Sequence, residues 1–199
     1  MKACGLVGSP VKGGNVDILV GRVLEGASSC GAITEKLFLN DLAIRPCQSC
    51  GPRRPKESLE FCRFEDDMEQ VFEALQASDV VVLGSPVYFD TVSAQTKLMI
   101  DRCNCLTALV DGGGGTMAFE KRLKRRKAGV FVAVAGTEQD FGPIRATAEG
   151  FFAWINADLI ESVLYGHEGN EKGTVRNDPV WMRKAFEAGA RAASRSGSP

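Results

Sequence analysis

What this chain lacks narrows its chemistry before any motif is considered. It has a single histidine, His167, in 199 residues. A Ser-His-Asp triad or a multi-histidine metal site is therefore out of reach, and a lone histidine ahead of Glu168-Gly169 reads as a surface residue. It lacks an excess of charge of either sign: the formal net charge is −1, which gives no general case for nucleic-acid binding. It lacks a long apolar run, since nothing approaches the ~20 residues of a membrane span. The opening MKACGLVGSPVKGG breaks at once into Gly and Pro, too early for a signal peptide, so the expected location is cytoplasmic. Finally, it lacks an even set of cysteines. There are seven, at 4, 30, 47, 50, 62, 103 and 105, which does not suggest a disulfide framework.

What is present is ordinary globular material, 44% hydrophobic and 25% charged, enough for one sizeable domain. Short apolar runs alternate with helical periodicity. The pattern predicts strands at 3–8, 32–39, 79–86, 128–136 and 158–165. The run DVVVLGSP is apolar throughout, as in a parallel sheet covered on both faces. Val16, Leu19, Val20, Val23, Leu24 and Ala27 stripe a helix over 15–29. A second helix starts near Asp66, with Asp66 and Glu69 spaced as a capping box. A third is predicted over 92–106, a fourth opens at Pro143, and Asp178-Pro179 cap and open the last. The segment DGGGGT reads as a loop. Lys121 to Lys127 reads as a solvated lead-in to the fourth strand, or alternatively as a docking patch for an acidic partner or a cofactor phosphate. The tail 194–199 is expected to be disordered. Five strands alternating with five helices predict a single doubly wound α/β domain over 1–193, with a cysteine-containing insertion near 43–64. Ligands of such sheets bind beyond the C-terminal strand ends, which directs attention to 9–16, 86–91 and 135–141.

The first of these is LVGSPVKGGN. Ser9 can donate a hydroxyl, Gly13 and Gly14 allow close approach, and a helix opens at Asn15 with free N–H groups and its positive dipole end. That is the physics of a mononucleotide phosphate site; a plain Gly-rich turn is the alternative. It is neither the dinucleotide fingerprint nor a Walker loop.

GSPVKGGN resembles the GSPRKGGNT loop of the flavodoxin-like NADPH-dependent FMN reductase and iron–sulfur flavoprotein family. EDDM (65–68), SDVVVLGSPVYFDTVSAQTKLMIDR (78–102) and GHEGNEKGTVRNDP before the last helix resemble further family segments. The resemblance implies a flavodoxin-like three-layer sandwich of strand order 2-1-3-4-5 with bound FMN. It implies Ser9, Val11, Lys12, Gly13, Gly14, Asn15 and Val16 around the phosphate. Pro86, Val87, Tyr88 and Phe89 would lie along the isoalloxazine, with Ala135, Gly136 and Thr137 as a third loop. Val11 stands where the family has Arg and Val16 where it has Thr, which removes one charged contact and one hydroxyl. The implied activity is FMN-dependent NAD(P)H oxidation, with electrons passed to a quinone, a small oxidant or an electron-transfer protein. The alternative is an iron–sulfur flavoprotein, or an FMN electron carrier or redox sensor without pyridine-nucleotide turnover. No residue is singled out as a proton donor. The implied assembly is a homodimer or homotetramer, with no nucleic acid and no membrane.

The family's iron–sulfur branch carries C-x-x-C-x-x-C-x(4–7)-C between strand two and helix two. Cys47 and Cys50 fit its first positions and Cys62 can fit its last, but the third falls on Arg53. A [4Fe-4S] cluster normally takes four thiolates. The segment therefore reads as an incomplete cluster or zinc site, as a C-x-x-C redox disulfide favoured by Arg53 and Arg54, or as a loop without metal. Cys103, on the third helix, reads as a packed core thiol.

Overall fold

Five strands line up in one direction, and the central three are buried nearly throughout because helices cover them from both sides. The computed structural model describes residues 1–50, 62–136, 139–169 and 171–196. The parallel strands are β1 (Lys2–Val7), β2 (Ile33–Phe38), β3 (Val80–Tyr88), β7 (Lys127–Gly136) and β8 (Ala157–His167), in the order β2-β1-β3-β7-β8. Counting parallel strands alone, this is the expected 2-1-3-4-5. Helices α1 (Asn15–Ser29) and α5 (Pro179–Ser196) pack on one face; α2 (Met68–Ala77), α3 (Ala94–Arg102) and α4 (Gly142–Trp154) pack on the other.

The alternation within each strand builds the two cores. Cys4, Leu6, Val81, Leu83, Phe131 and Ala133 face α2, α3 and α4. Ala3, Val7, Val80, Val82, Val130 and Val132 face α1 and α5. Each fully buried Val, Leu or Phe among them contributes about 1.5–3 kcal/mol. Helices α1 and α5 approach to backbone contact: a Cβ on Gly26 would lie 1.9 Å from the Phe186 carbonyl, and one on Gly189 1.8 Å from that of Val23. Only glycine fits at that crossing.

Several elements depart from expectation. The third helix does not span 92–106. Thr91–Val92 form β4, paired antiparallel to β3; Ser93 caps α3, and Cys103–Leu106 form a 3-10 turn. The segment expected as a Gly-rich loop lies instead in an antiparallel hairpin, β5 (Thr107–Gly113) and β6 (Thr116–Lys121), and the basic run after it leads into β7 as expected. The hairpin turn places Gly113, Gly114 and Gly115 at positive φ, a conformation glycine adopts without strain. The capping box at α2 does not form as read. Asp67 holds the cap position, and Asp66 Oδ1 accepts from Met68 N at 3.2 Å while its carboxylate pairs with Arg102. Asp178 caps α5 as expected, accepting from Val180 N and Trp181 N. Helix α5 continues to Ser196, into the stretch expected as a disordered tail.

The basic run is spent on the structure. Arg125 donates to the Gln76 and Ala77 carbonyls at the end of α2 and pairs with Asp79; Arg126 pairs with Asp158; Lys127 donates to Ser78 O. These contacts lie where β3 and β7 begin, at the edge opposite the loops singled out above. Among the described residues no helix is long and apolar enough to cross a membrane.

Candidate functional site

Register brings the three candidate loops to one edge. Val7 pairs with Gly84, and Pro86 with Val134, so the ends of β1, β3 and β7 finish side by side. Gly8 N donates to Gly84 O at 2.7 Å and closes the first two together. A buried serine network then fixes them. Ser93 Oγ donates to Gly8 O at 2.6 Å and accepts from Thr96 N at 3.3 Å. Ser93 N donates to Ser85 Oγ at 2.9 Å, and Ser85 Oγ donates to Pro86 O at 2.8 Å. One residue therefore caps α3 and, through its hydroxyl and its N–H, ties the Gly8 loop to the end of β3. The sequence pattern GSPVYF…SAQT contains these residues without revealing the bonds between them.

The phosphate loop has the expected shape and an unexpected distribution of charge. Gly14 N donates to Val11 O at 3.1 Å, Gly13 lies at φ 73°, and α1 opens at Asn15. Ser9 is 6% exposed and accepts from Val11 N, leaving its own proton to donate. Val16 turns into the core, so only its backbone can serve an anion. Lys12 does not turn into the loop: its Nζ lies 2.6 Å from Asp41 and 5.2 Å from the Phe38 ring centroid. Asp17 Oδ2, from the first turn of α1, accepts the Gly13 N–H at 2.7 Å, and its other oxygen pairs with Lys36.

The loop also has a neighbour that sequence reasoning did not place there. Asn15 Oδ1 accepts from Val175 N at 3.1 Å, and Asn15 Nδ2 donates to Thr174 Oγ1 at 3.3 Å. The segment after β8 is thereby fixed against the loop.

At the end of β3, Pro86 and Val87 are buried while Tyr88 is about half exposed. The two-residue connection to β4 is Phe89-Asp90, at φ 48° and 61°. Tight hairpins with both central residues at positive φ usually carry Asn-Gly or Gly-Gly. A bulky residue there is a genuine outlier, and Phe89 is 100% exposed. The fold holds a strained, uncovered aromatic ring at the ligand edge. Ala135 is buried and Gly136 exposed beside it; Thr137 lies outside the described residues.

The cysteine segment leaves β2 through a 3-10 turn, Leu39–Asp41. Its two ends meet at Arg102, whose side chain is wholly buried. Arg102 Nη1 donates to Asp66 Oδ2 at 2.6 Å and Arg45 O at 2.8 Å; Nη2 donates to Asp66 Oδ1 at 3.1 Å and Cys62 Sγ at 3.4 Å. The guanidinium also lies 5.1 Å from the Phe64 ring centroid. Burial pushes the Asp66 carboxyl up, but the bonds from Arg102 and from the Arg45 and Met68 N–H groups outweigh it and hold it below the usual range. Cys47, Cys50 and Cys62 are partly buried free thiols; Cys103 is buried with its sulfur 3.7 Å from that of Met99. Among the described residues no three His, Cys, Asp or Glu side chains gather to hold a metal. The segment holds three cysteines, one fewer than the four thiolates a [4Fe-4S] cluster normally takes. Arg53 and Arg54 lie outside the described residues.

The family model for NADPH-dependent FMN reductase matches residues 1–170. The chain belongs to the NADPH-dependent FMN reductase family. Within it, the chain is 30% identical over 205 residues to an iron–sulfur flavoprotein of Methanocaldococcus jannaschii, covering 97% of this chain and 96% of that protein. It is 36% identical over 102 residues to the iron–sulfur flavoprotein of Methanosarcina thermophila; that match covers 51% of this chain and 52% of the length of that protein. A solved flavodoxin from the Archaea superposes over 100% of both chains with a TM-score of 0.58 at 10% identity. The fold is flavodoxin-like.

Proposed function

We propose that this chain is an FMN-dependent NAD(P)H oxidoreductase that passes electrons through bound flavin to a quinone, another small oxidant or a protein acceptor. The observation that carries this reading is the Phe89-Asp90 turn: a fully exposed ring, held in a costly backbone conformation, at the same sheet edge as the Gly-rich loop that opens α1. Strain of this kind persists where function requires it. The family description adds FMN and reduced pyridine nucleotide.

The residues present fit FMN. The N–H groups at the start of α1 and the Ser9 hydroxyl would hold the phosphate, and Tyr88 and Phe89 would flank the ring system, with the backbone of Pro86, Val87, Ala135 and Gly136 along its edge. Bound flavin would supply hydride acceptance and electron release. The chain's own part is to fix that edge, through Ser85, Ser93 and Gly8, and to keep it rigid. His167 stacks on Tyr165 at 5.5 Å, so it has a packing role and flavin chemistry does not need it. Leu109, Met117, Phe119 and Trp154, exposed on the hairpin and α4, support a homodimer or homotetramer.

The test is an absorbance spectrum of anaerobically purified protein, followed by addition of NADPH or NADH. A flavin spectrum that bleaches rapidly with either nucleotide is expected. Protein that stays colourless with added FMN, or flavin reduced only by dithionite, overturns the reading.

A further inference from the structure

We propose that Lys172 and Arg176, from the segment after β8, supply the positive charge for the flavin phosphate that the phosphate loop itself lacks. The inference rests on the flavin reading above and names two residues that would set the preference for a phosphorylated flavin.

The loop's own charges are unsuited to an anion. Val11 is neutral. Lys12 is committed to Asp41 at 2.6 Å. Asp17 brings a carboxylate to the loop and occupies the Gly13 N–H at 2.7 Å; Lys36 answers that carboxylate and is not free for another. A phosphate monoester carries about −1.5 to −2 charges at neutral pH. The loop as built offers it backbone donors and the Ser9 hydroxyl, but no unpaired cation of its own.

Two cations arrive from elsewhere. Measured from where a Cβ on Gly13 would lie, Lys172 Nζ is at 3.5 Å and Arg176 Nη2 at 3.9 Å. Neither makes an ion pair with a carboxylate among the described residues. Two like charges converging on one loop repel, and an anion between them reverses that cost. Their approach is built in. Asn15 bonds Val175 N and Thr174 Oγ1, and Gly173 sits at φ 74° so close that a Cβ there would lie 2.8 Å from Gly13 O. The backbone that carries both side chains is thus locked to the loop. A further group points the same way: Ser9 is 6% exposed, and its hydroxyl proton has no acceptor among the described residues.

Hydrogen bonds from charged donors are about twice as strong as neutral ones, and they act on the phosphate alone. The test is therefore a paired fluorescence titration of the full chain, stripped of bound flavin, with FMN and with riboflavin. Wild type is expected to bind FMN more tightly than riboflavin. K172Q/R176Q should narrow that ratio about tenfold or more by weakening FMN while riboflavin affinity stays in place. The narrowing should shrink at high salt, because exposed charges are screened. Thermal melts establish that the variants are folded. K172E, a single change at an exposed side chain, tests the same point if the double variant does not fold, and should lower the ratio further than K172Q. A ratio unchanged in these variants overturns the inference and leaves the flavin reading standing. A wild type that binds FMN no better than riboflavin overturns the phosphate-site reading and the inference with it.

Discussion

At the scale of single residues, Ser93 does the most with the least. Its hydroxyl and N–H join α3 to Gly8 and Ser85, which lie far apart in the chain, one in the loop after β1 and the other in β3. Ser93→Ala removes a helix cap, costing about 1 kcal/mol, and leaves buried partners unmatched at about 1–3 kcal/mol. We expect a loss of about 2–4 kcal/mol in urea denaturation together with weaker FMN binding. Unchanged flavin affinity would show that the loops do not depend on this network. The sequence made the neighbourhood legible: GSPVYF and SAQT sit where a ligand edge was expected. It could not show the Ser93–Gly8 bond, because that contact exists only once β1 and β3 lie side by side. Lys12 illustrates the same limit. Its place in a glycine-rich loop suggests a phosphate ligand, yet Asp41 and the Phe38 ring capture it, and both arrive by way of β2.

At the scale of elements, what burial dictates was legible and what solvent dictates was not. The stripe over 15–29 and the apolar strands follow from facing a core. The hairpin β5–β6 escaped notice because Leu109, Met117 and Phe119 point outward, so neither strand shows a clean buried face. The third helix was read too long for a different reason. Val92, Met99 and Leu106 all enter the same core at seven-residue spacing, which imitates a helical stripe although Val92 belongs to a strand and Leu106 to a 3-10 turn. The β3–β4 turn carries its own prediction. Replacing Phe89-Asp90 with Asn-Gly suits the positive φ angles and should stabilise the fold by about 1–2 kcal/mol, seen as a higher melting temperature. FMN binding should weaken in the same protein, because the exposed ring is gone. A variant that is both more stable and undiminished in flavin affinity would remove Phe89 from the site.

At the scale of the whole molecule, pH reaches the core through two buried groups. Burial pushes the Cys4 thiol up to about 12, and burial together with the charge of Arg125 brings Lys127 down to about 8. Between about pH 8 and the ordinary lysine range, the folded state has lost a Lys127 proton that the unfolded chain keeps, so this group adds stability as pH rises. Above the ordinary thiol value of 9.0, the unfolded chain loses the Cys4 proton while the folded state retains it, so stability falls with pH. The alkaline limit should therefore belong to Cys4. Between the ordinary thiol value of 9.0 and the ordinary lysine value of 10.5 the two slopes oppose each other, so Cys4→Ala is expected to turn a flat urea midpoint into a rising one there and to remove the decline above it; an unchanged profile would assign the limit elsewhere. In acid, Asp66, held below the usual carboxylate range, contributes stability that is lost as pH falls through its folded value. The Arg102 clamp in which it takes part has a consequence for how this fold can change over time. Because Arg45, Cys62 and Asp66 are gathered by one guanidinium on α3, the stretch between them is closed at its base whatever it contains. Doubling the length of such a closed loop costs only about 0.6 kcal/mol in closure entropy. The cysteine stretch is thus an exchangeable cassette: its composition and length can change without the sheet having to be rebuilt.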